Sequence, residues 1–137
     1  MLTKALEDYI EYIYNSIKEN KELKAIDIAN NFNISRASVS EALIRLGDMD
    51  LIIYEGRKGI KITEKGEDEA KKIIKKHKIL SSFFCEILGF ESNIASDNAC
   101  KIEHVIDEKI IEKLEKFIEF CIKHNINLSF KEYINND

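Results

Sequence analysis

Within the stretch ACKIEHVID at 99–107, three neighbouring residues carry donor atoms of three kinds. They are the sulfur of Cys100, the carboxylate of Glu103 and the imidazole of His104. On a helix they fall at i, i+3 and i+4 and share one side. Ala95, Ala99, Ile102 and Ile106 make a neighbouring apolar stripe, so other residues already serve burial. Upstream, His77 falls within the stripe Ile73, Ile74, Leu80, Phe84, and Asp8 and Glu11 sit at i, i+3 beside the apolar stripe of an N-terminal helix. Each group has an ordinary reading too: cysteine as a small core residue, a lone histidine as a hydrogen-bonded core group, carboxylates as solvated charges. Together they offer six N, O and S donors on three helices, a set that suits a first-row transition metal. Cys85 is spaced for a helix core, and Cys121 with His124 is a weaker pair near a polar C-terminus.

The elements that must carry these donors are mostly helical. The chain has no proline, five glycines and long stretches of helical period. A first helix spans about Thr3–Lys18, with Leu6, Ile10, Ile13 and Ile17 as its apolar stripe. A short helix follows near Ala25–Asn31. The turn "NIS" places Ser35 as N-cap of a third helix that ends near Gly47. "LIIYE" and "IKIT" flank Gly56-Arg57-Lys58-Gly59 and predict a hairpin. Beyond Thr63 the pattern predicts a long helix over about Glu64–Leu88, another carrying 99–107, and a third over Glu108–His124. The tail KEYINND gives little signal.

Three helices followed by a two-stranded hairpin predict a winged helix-turn-helix over 1–63, and 64–137 a helical half. Ala25, Ile28, Ala29, Ile34, Val39, Leu43 and Leu46 are spaced to pack two crossed helices. Arg36, Ser38, Ser40 and Glu41 are left on the other face. In such a motif the start of the second helix enters the major groove of double-stranded DNA. Arg36 can reach guanine or phosphate, and Ser35, Ser38 and Ser40 phosphate or base edges. Arg57 and Lys58 at the hairpin tip lie along the backbone.

The 137 residues are 45% hydrophobic and 34% charged, enough for one core-bearing domain or two small halves. No apolar run is long enough to span a bilayer, and the N-terminus lacks a signal-peptide pattern, so a cytoplasmic protein without membrane association is expected. Three widely spaced cysteines argue against a disulfide framework. The net charge of −4 is unusual for a nucleic-acid binder. It suits a protein whose acidic groups hold cations.

From "LEDYIEYIY" through "SRASVSEALIRL", "LIIYEGRKGIKITEKGEDEA" and "KKHKIL" to "ACKIEHVI", the chain resembles the diphtheria-toxin-repressor-like (DtxR/MntR) family of metal-dependent transcriptional repressors. The resemblance covers nearly the whole chain. It is to the short members, which lack the SH3-like domain of longer iron-type members. It implies a homodimer on a palindromic operator, with an N-terminal winged helix and a helical dimerisation half in each subunit. By resemblance, Asp8, Glu11, His77, Cys100, Glu103 and His104 match metal-ligand positions. Position 100 is Cys in the iron branch and Glu in the manganese branch. Position 8 is typically Met in the iron branch and is Asp here, so the chain is a hybrid. Ser81 and Ser96 stand where the iron branch has further Glu and His ligands. Glu41 occupies a DNA-contact position that is Gln in some relatives, and a carboxylate cannot donate to a base as an amide does.

Thiolate favours softer ions than manganese, while Asp8, Glu11 and Glu103 keep the set hard enough for Fe(II) or Mn(II). Fe(II) is the expected ion, Mn(II) the alternative, and Zn, Co or Ni are expected to bind in vitro. No second catalytic constellation is present, so a regulator is expected and not an enzyme. The alternative is a winged-helix regulator responding to a small molecule.

Overall fold

The computed structural model describes residues 2–136. The fold is mainly α, a winged helix-turn-helix followed by an all-helical half. The chain forms two compact units, Met1–Lys72 and Ile73–Asp137.

In the first unit, α1 (Lys4–Lys18) starts one residue later than its periodicity predicts, because Thr3 serves as N-cap and its hydroxyl accepts from the Leu6 N–H. Leu6, Ile10 and Ile13 are buried along one side. α2 (Ala25–Phe32) ends on Asn33 in the left-handed conformation, at φ 53°. Asparagine tolerates that region better than most residues. The Ile34 N–H then closes onto the Ala29 carbonyl, and the chain turns into α3 (Arg36–Asp48). Ser35 caps α3 as expected, accepting from the Ser38 N–H at 3.1 Å. Ile28, Ala29, Val39, Leu43 and Leu46 are buried between the crossed helices. Phe32 of α2 meets the ring edges of Tyr9 and Tyr12 on α1, with centroids 4.9 and 5.5 Å apart.

The wing is β1 (Ile52–Tyr54) paired antiparallel with β2 (Ile60–Ile62), Ile53 opposite Lys61. A single 3-10 turn over Gly56–Lys58 joins them. Gly59, at φ 90°, lets the chain pass close to the Leu23 carbonyl, which accepts from the Ile60 N–H. The hairpin is thereby tied to the loop between α1 and α2. Thr63 ends the wing and caps α4 (Glu64–Ser82): its hydroxyl donates to the Asp50 carbonyl at 2.7 Å and accepts from the Gly66 N–H.

In the second unit, the helix expected to run from Glu64 to Leu88 changes its winding at Phe83. Residues Phe83–Ile87 form a π turn, in which the Leu88 N–H reaches the Phe83 carbonyl five residues back. The wider turn sets Phe83, Phe84, Ile87 and Leu88 against one core. Gly89, at φ 82°, ends it. α5 (Ser92–Ile102) and α6 (Glu108–Lys123) follow, and Asp107 caps α6 through the Lys109 N–H. The core joins Ile79, Leu80, Ala99, Ile111, Ile118 and Cys121. Asn125, left-handed at φ 56°, turns the chain into α7 (Ile126–Asn135). That helix runs into KEYINND, the tail in which the sequence shows little signal. It packs on α6 and on the π turn.

Candidate metal centre

α5 ends at Ile102, one residue before the Glu-His pair. The expectation of one helical side carrying Cys100, Glu103 and His104 is therefore corrected in part. Glu103 keeps helical dihedrals as C-cap, with its N–H on the Ala99 carbonyl, while His104 belongs to the turn that follows. The turn is tight because the Val105 and Ile106 N–H groups both close onto the Ile102 carbonyl. Lys76 of α4 donates to the Ile106 carbonyl at 2.7 Å and ties the turn to that helix.

The side chains converge on Glu103, which is only 2% exposed. One carboxylate oxygen lies 2.7 Å from His77 Nδ1 and the other 3.4 Å from His104 Nε2. Cys100 Sγ is 3.7 Å from the same His77 Nδ1. A buried carboxylate is costly without partners, and two imidazoles supply them here. His77 Nδ1, Cys100 Sγ and a Glu103 oxygen all lie within 4.8 Å of one another. Ligand atoms about 2.0–2.3 Å from a first-row ion are themselves roughly 3–4 Å apart. Nitrogen, sulfur and carboxylate oxygen are donor types such an ion takes, and the 3.7 Å between Sγ and Nδ1 matches that spacing, while an ion would replace the 2.7 Å hydrogen bond between Nδ1 and Glu103.

His77 has hydrogen-bond partners on both ring nitrogens. Its Nε2 lies 3.2 Å from Ser96 Oγ and 3.5 Å from Ser81 Oγ. Sequence reasoning did not find these hydroxyl partners, although Ser81 follows His77 by four residues and Ser96 precedes Cys100 by four. The Lys76 clamp was missed as well. Cys121 is fully buried in the core, and the His124 ring lies tilted against Phe120, with centroids 4.6 Å apart.

In the first unit, Asp8 and Glu11 stand one turn apart on α1, both half-buried, and Asp8 pairs with Lys4 at 3.3 Å. Arg36, Ser38 and Glu41 are exposed along α3, Ser35 is exposed at its cap and Ser40 is half-buried. The Ser35 hydroxyl is paired with Ser38 Oγ at 2.9 Å. Arg57 and Lys58 are exposed at the wing tip, where Lys58 lies 3.8 Å from Glu55.

Residues 1–60 match the N-terminal DNA-binding domain of the iron-dependent repressors, and residues 63–125 match their metal-binding and dimerisation domain. An uncharacterised HTH-type transcriptional regulator of Methanocaldococcus jannaschii is 40% identical over 86% of this chain and 95% of its own length. The chain belongs to the DtxR/MntR family of metal-dependent repressors. The HTH-type transcriptional regulator MntR of Listeria welshimeri is 30% identical over 90% of this chain and 87% of its own. The solved structure of the manganese regulator SloR matches with a TM-score of 0.73 and 26% identity. That match covers 84% of this chain and 54% of SloR, so the chain spans about half the length of that relative. A hypothetical protein from Sulfolobus solfataricus shares the fold over 85% of this chain and 89% of its own, with a TM-score of 0.72 and 23% identity. DtxR/MntR proteins bind DNA, bind divalent metals and dimerise, and the relatives are transcriptional regulators and not enzymes.

Proposed function

We propose that this protein is a metal-activated repressor that binds a palindromic operator as a homodimer, with Fe(II) as its physiological ion and Mn(II) as the second choice. The observation that carries this reading is the meeting of Cys100 Sγ with His77 Nδ1 and Glu103. A thiolate prefers softer ions than manganese, while the carboxylate keeps the set suited to Fe(II). His77, Cys100, Glu103 and His104 are assigned as the ligands of the helical half. Asp8 and Glu11 are assigned as the ligands contributed by α1, on the strength of the sequence resemblance.

A divalent ion, when bound, would supply positive charge to the carboxylates and to Cys100, which binds a metal as the thiolate. The protein's own residues set the rest. Asp8 and Glu11 sit on the helix that packs against α3, so whatever holds them also steadies the recognition helix. Arg36, with Ser35, Ser38 and Ser40, is assigned to phosphates and base edges at the start of α3. Glu41 takes part there as an acceptor only, and Arg57 and Lys58 take the flanking backbone. Two recognition helices about one DNA turn apart match a palindromic site. A cytoplasmic location is part of this reading.

The test is operator binding under anaerobic conditions with Fe(II), Mn(II), Zn(II) or chelator. Fe(II) is expected to activate at lower concentration than Mn(II). Equal binding with chelator and with every ion would remove metal sensing and leave a small-molecule regulator in its place.

A further inference from the structure

The ring of His77 has two different sides. Nδ1 faces Cys100 and Glu103, both anionic once deprotonated. Nε2 faces Ser96 Oγ at 3.2 Å and Ser81 Oγ at 3.5 Å, both neutral hydroxyls. A divalent ion gains most where the anionic donors are, which is the Nδ1 side. An imidazole that gives one nitrogen to a metal keeps its proton on the other, and that N–H needs an acceptor. Ser96 Oγ stands at hydrogen-bond distance from it, half-buried on α5 one turn before Cys100. α5 thus carries both a donor for the Nδ1 side and the acceptor for the Nε2 side.

We propose that Ser96, backed by Ser81, is a positioning residue that accepts the His77 Nε2–H and so commits Nδ1 to the metal. This rests on His77 being a metal ligand, as proposed above. A hydroxyl can donate to Nε2 while Nδ1 holds its proton against Glu103 and accept from Nε2–H once Nδ1 binds the ion, and in both states it stops the ring from turning about its Cβ–Cγ bond. Losing it frees the ring to rotate or to present the wrong nitrogen. Loss of such an outer partner typically weakens metal binding about 10–100-fold.

The experiment uses the full chain, ¹¹³Cd(II) and Co(II) as probe ions, and the variants Ser96→Ala, Ser96→Thr and His77→Gln. In the parent, ¹⁵N NMR is expected to show ¹¹³Cd coupling to His77 Nδ1 and a proton on Nε2. Ser96→Ala is expected to keep the parent's melting temperature and to bind Co(II) roughly 10–100-fold more weakly. Ser96→Thr, which keeps the hydroxyl, is expected to bind close to the parent. Cadmium coupling to Nε2, or parent-like Co(II) affinity in Ser96→Ala, would overturn the positioning role while leaving the metal centre standing. No cadmium coupling to either ring nitrogen, together with unchanged Co(II) affinity in His77→Gln, would overturn both that role and His77's place as a ligand.

Discussion

Cys100 brings a polarisable sulfur to a cluster whose other donors are nitrogen and oxygen. Replacing it by glutamate, Cys100→Glu, leaves only hard and borderline donors. The variant is expected to shift activation toward Mn(II) relative to Fe(II), read as the ratio of half-activating concentrations in operator binding. The Co(II) complex of the parent should show thiolate-to-metal charge-transfer absorption that the variant lacks. An unchanged ion ranking without that absorption in the parent would place Cys100 outside the coordination sphere. Of the donors near this residue, Glu103 was legible from spacing alone, because i, i+3 neighbours stay adjacent wherever the helix packs. The burial of Glu103 and the contact of Ser96 with His77 were not legible. Both depend on how α5 is rotated against α4, which one helix's periodicity does not specify.

The join between wing and α4 depends on two small residues. Thr63 binds the Asp50 carbonyl and caps the helix with the same oxygen. Gly66, buried one turn in, leaves no room for a side chain: a Cβ there would lie 2.0 Å from the Leu51 carbonyl oxygen and 2.8 Å from Ile62 Cγ1. The obstacle is backbone, so the helix must move away from β1. Gly66→Ala gains helix propensity of about 1 kcal/mol. Overpacking of this kind typically costs about 1–3 kcal/mol. With a clash this short, net destabilisation is expected, measured as a lower urea midpoint at an unchanged denaturant slope. A variant as stable as the parent would mean that the helix shifts without loss. Elements with local signals were readable beforehand: α1 from its stripe, α3 from its Ser35 cap, the wing from its glycines. The π turn was not, because Phe83, Phe84, Ile87 and Leu88 fit an α-helical pattern nearly as well. α7 was missed although Ile126, Phe130, Tyr133 and Ile134 recur at helical spacing. Leu128 and the polar ending blur that pattern, and the helix has packing partners in α6 and the π turn.

Over the whole molecule, the net charge of −4 accompanies a DNA-binding fold. In the proposed function part of that charge is neutralised only when metal binds, so ion and operator are linked ligands. A typical coupling is about 1–3 kcal/mol, or roughly 5–150-fold in operator affinity, and linkage requires operator DNA to tighten metal binding by the same factor. The double variant Asp8→Asn with Glu11→Gln separates this coupling from folding. Both residues lie beside the buried stripe of Leu6, Ile10 and Ile13, so the variant is expected to fold and dimerise. His77, Cys100, Glu103 and His104 remain to bind metal. Most of the metal-induced gain in operator affinity should vanish. Dimer mass, metal affinity and operator affinity measured on that one variant decide the matter. A gain equal to the parent's would show that α1 does not transmit the signal.

The three cysteines differ in burial in a way that experiment can exploit. Cys100 is exposed, Cys85 half-buried and Cys121 wholly enclosed. Thiol reagents attack at a rate set by access as well as by thiolate content. A single alkylation time course, resolved by peptide mass, therefore contains three clocks. Cys100 reports on the occupancy of its cluster, Cys85 on the breathing of the π turn beside α7, and Cys121 on opening of the core itself. No label or engineered residue has to be added to the chain.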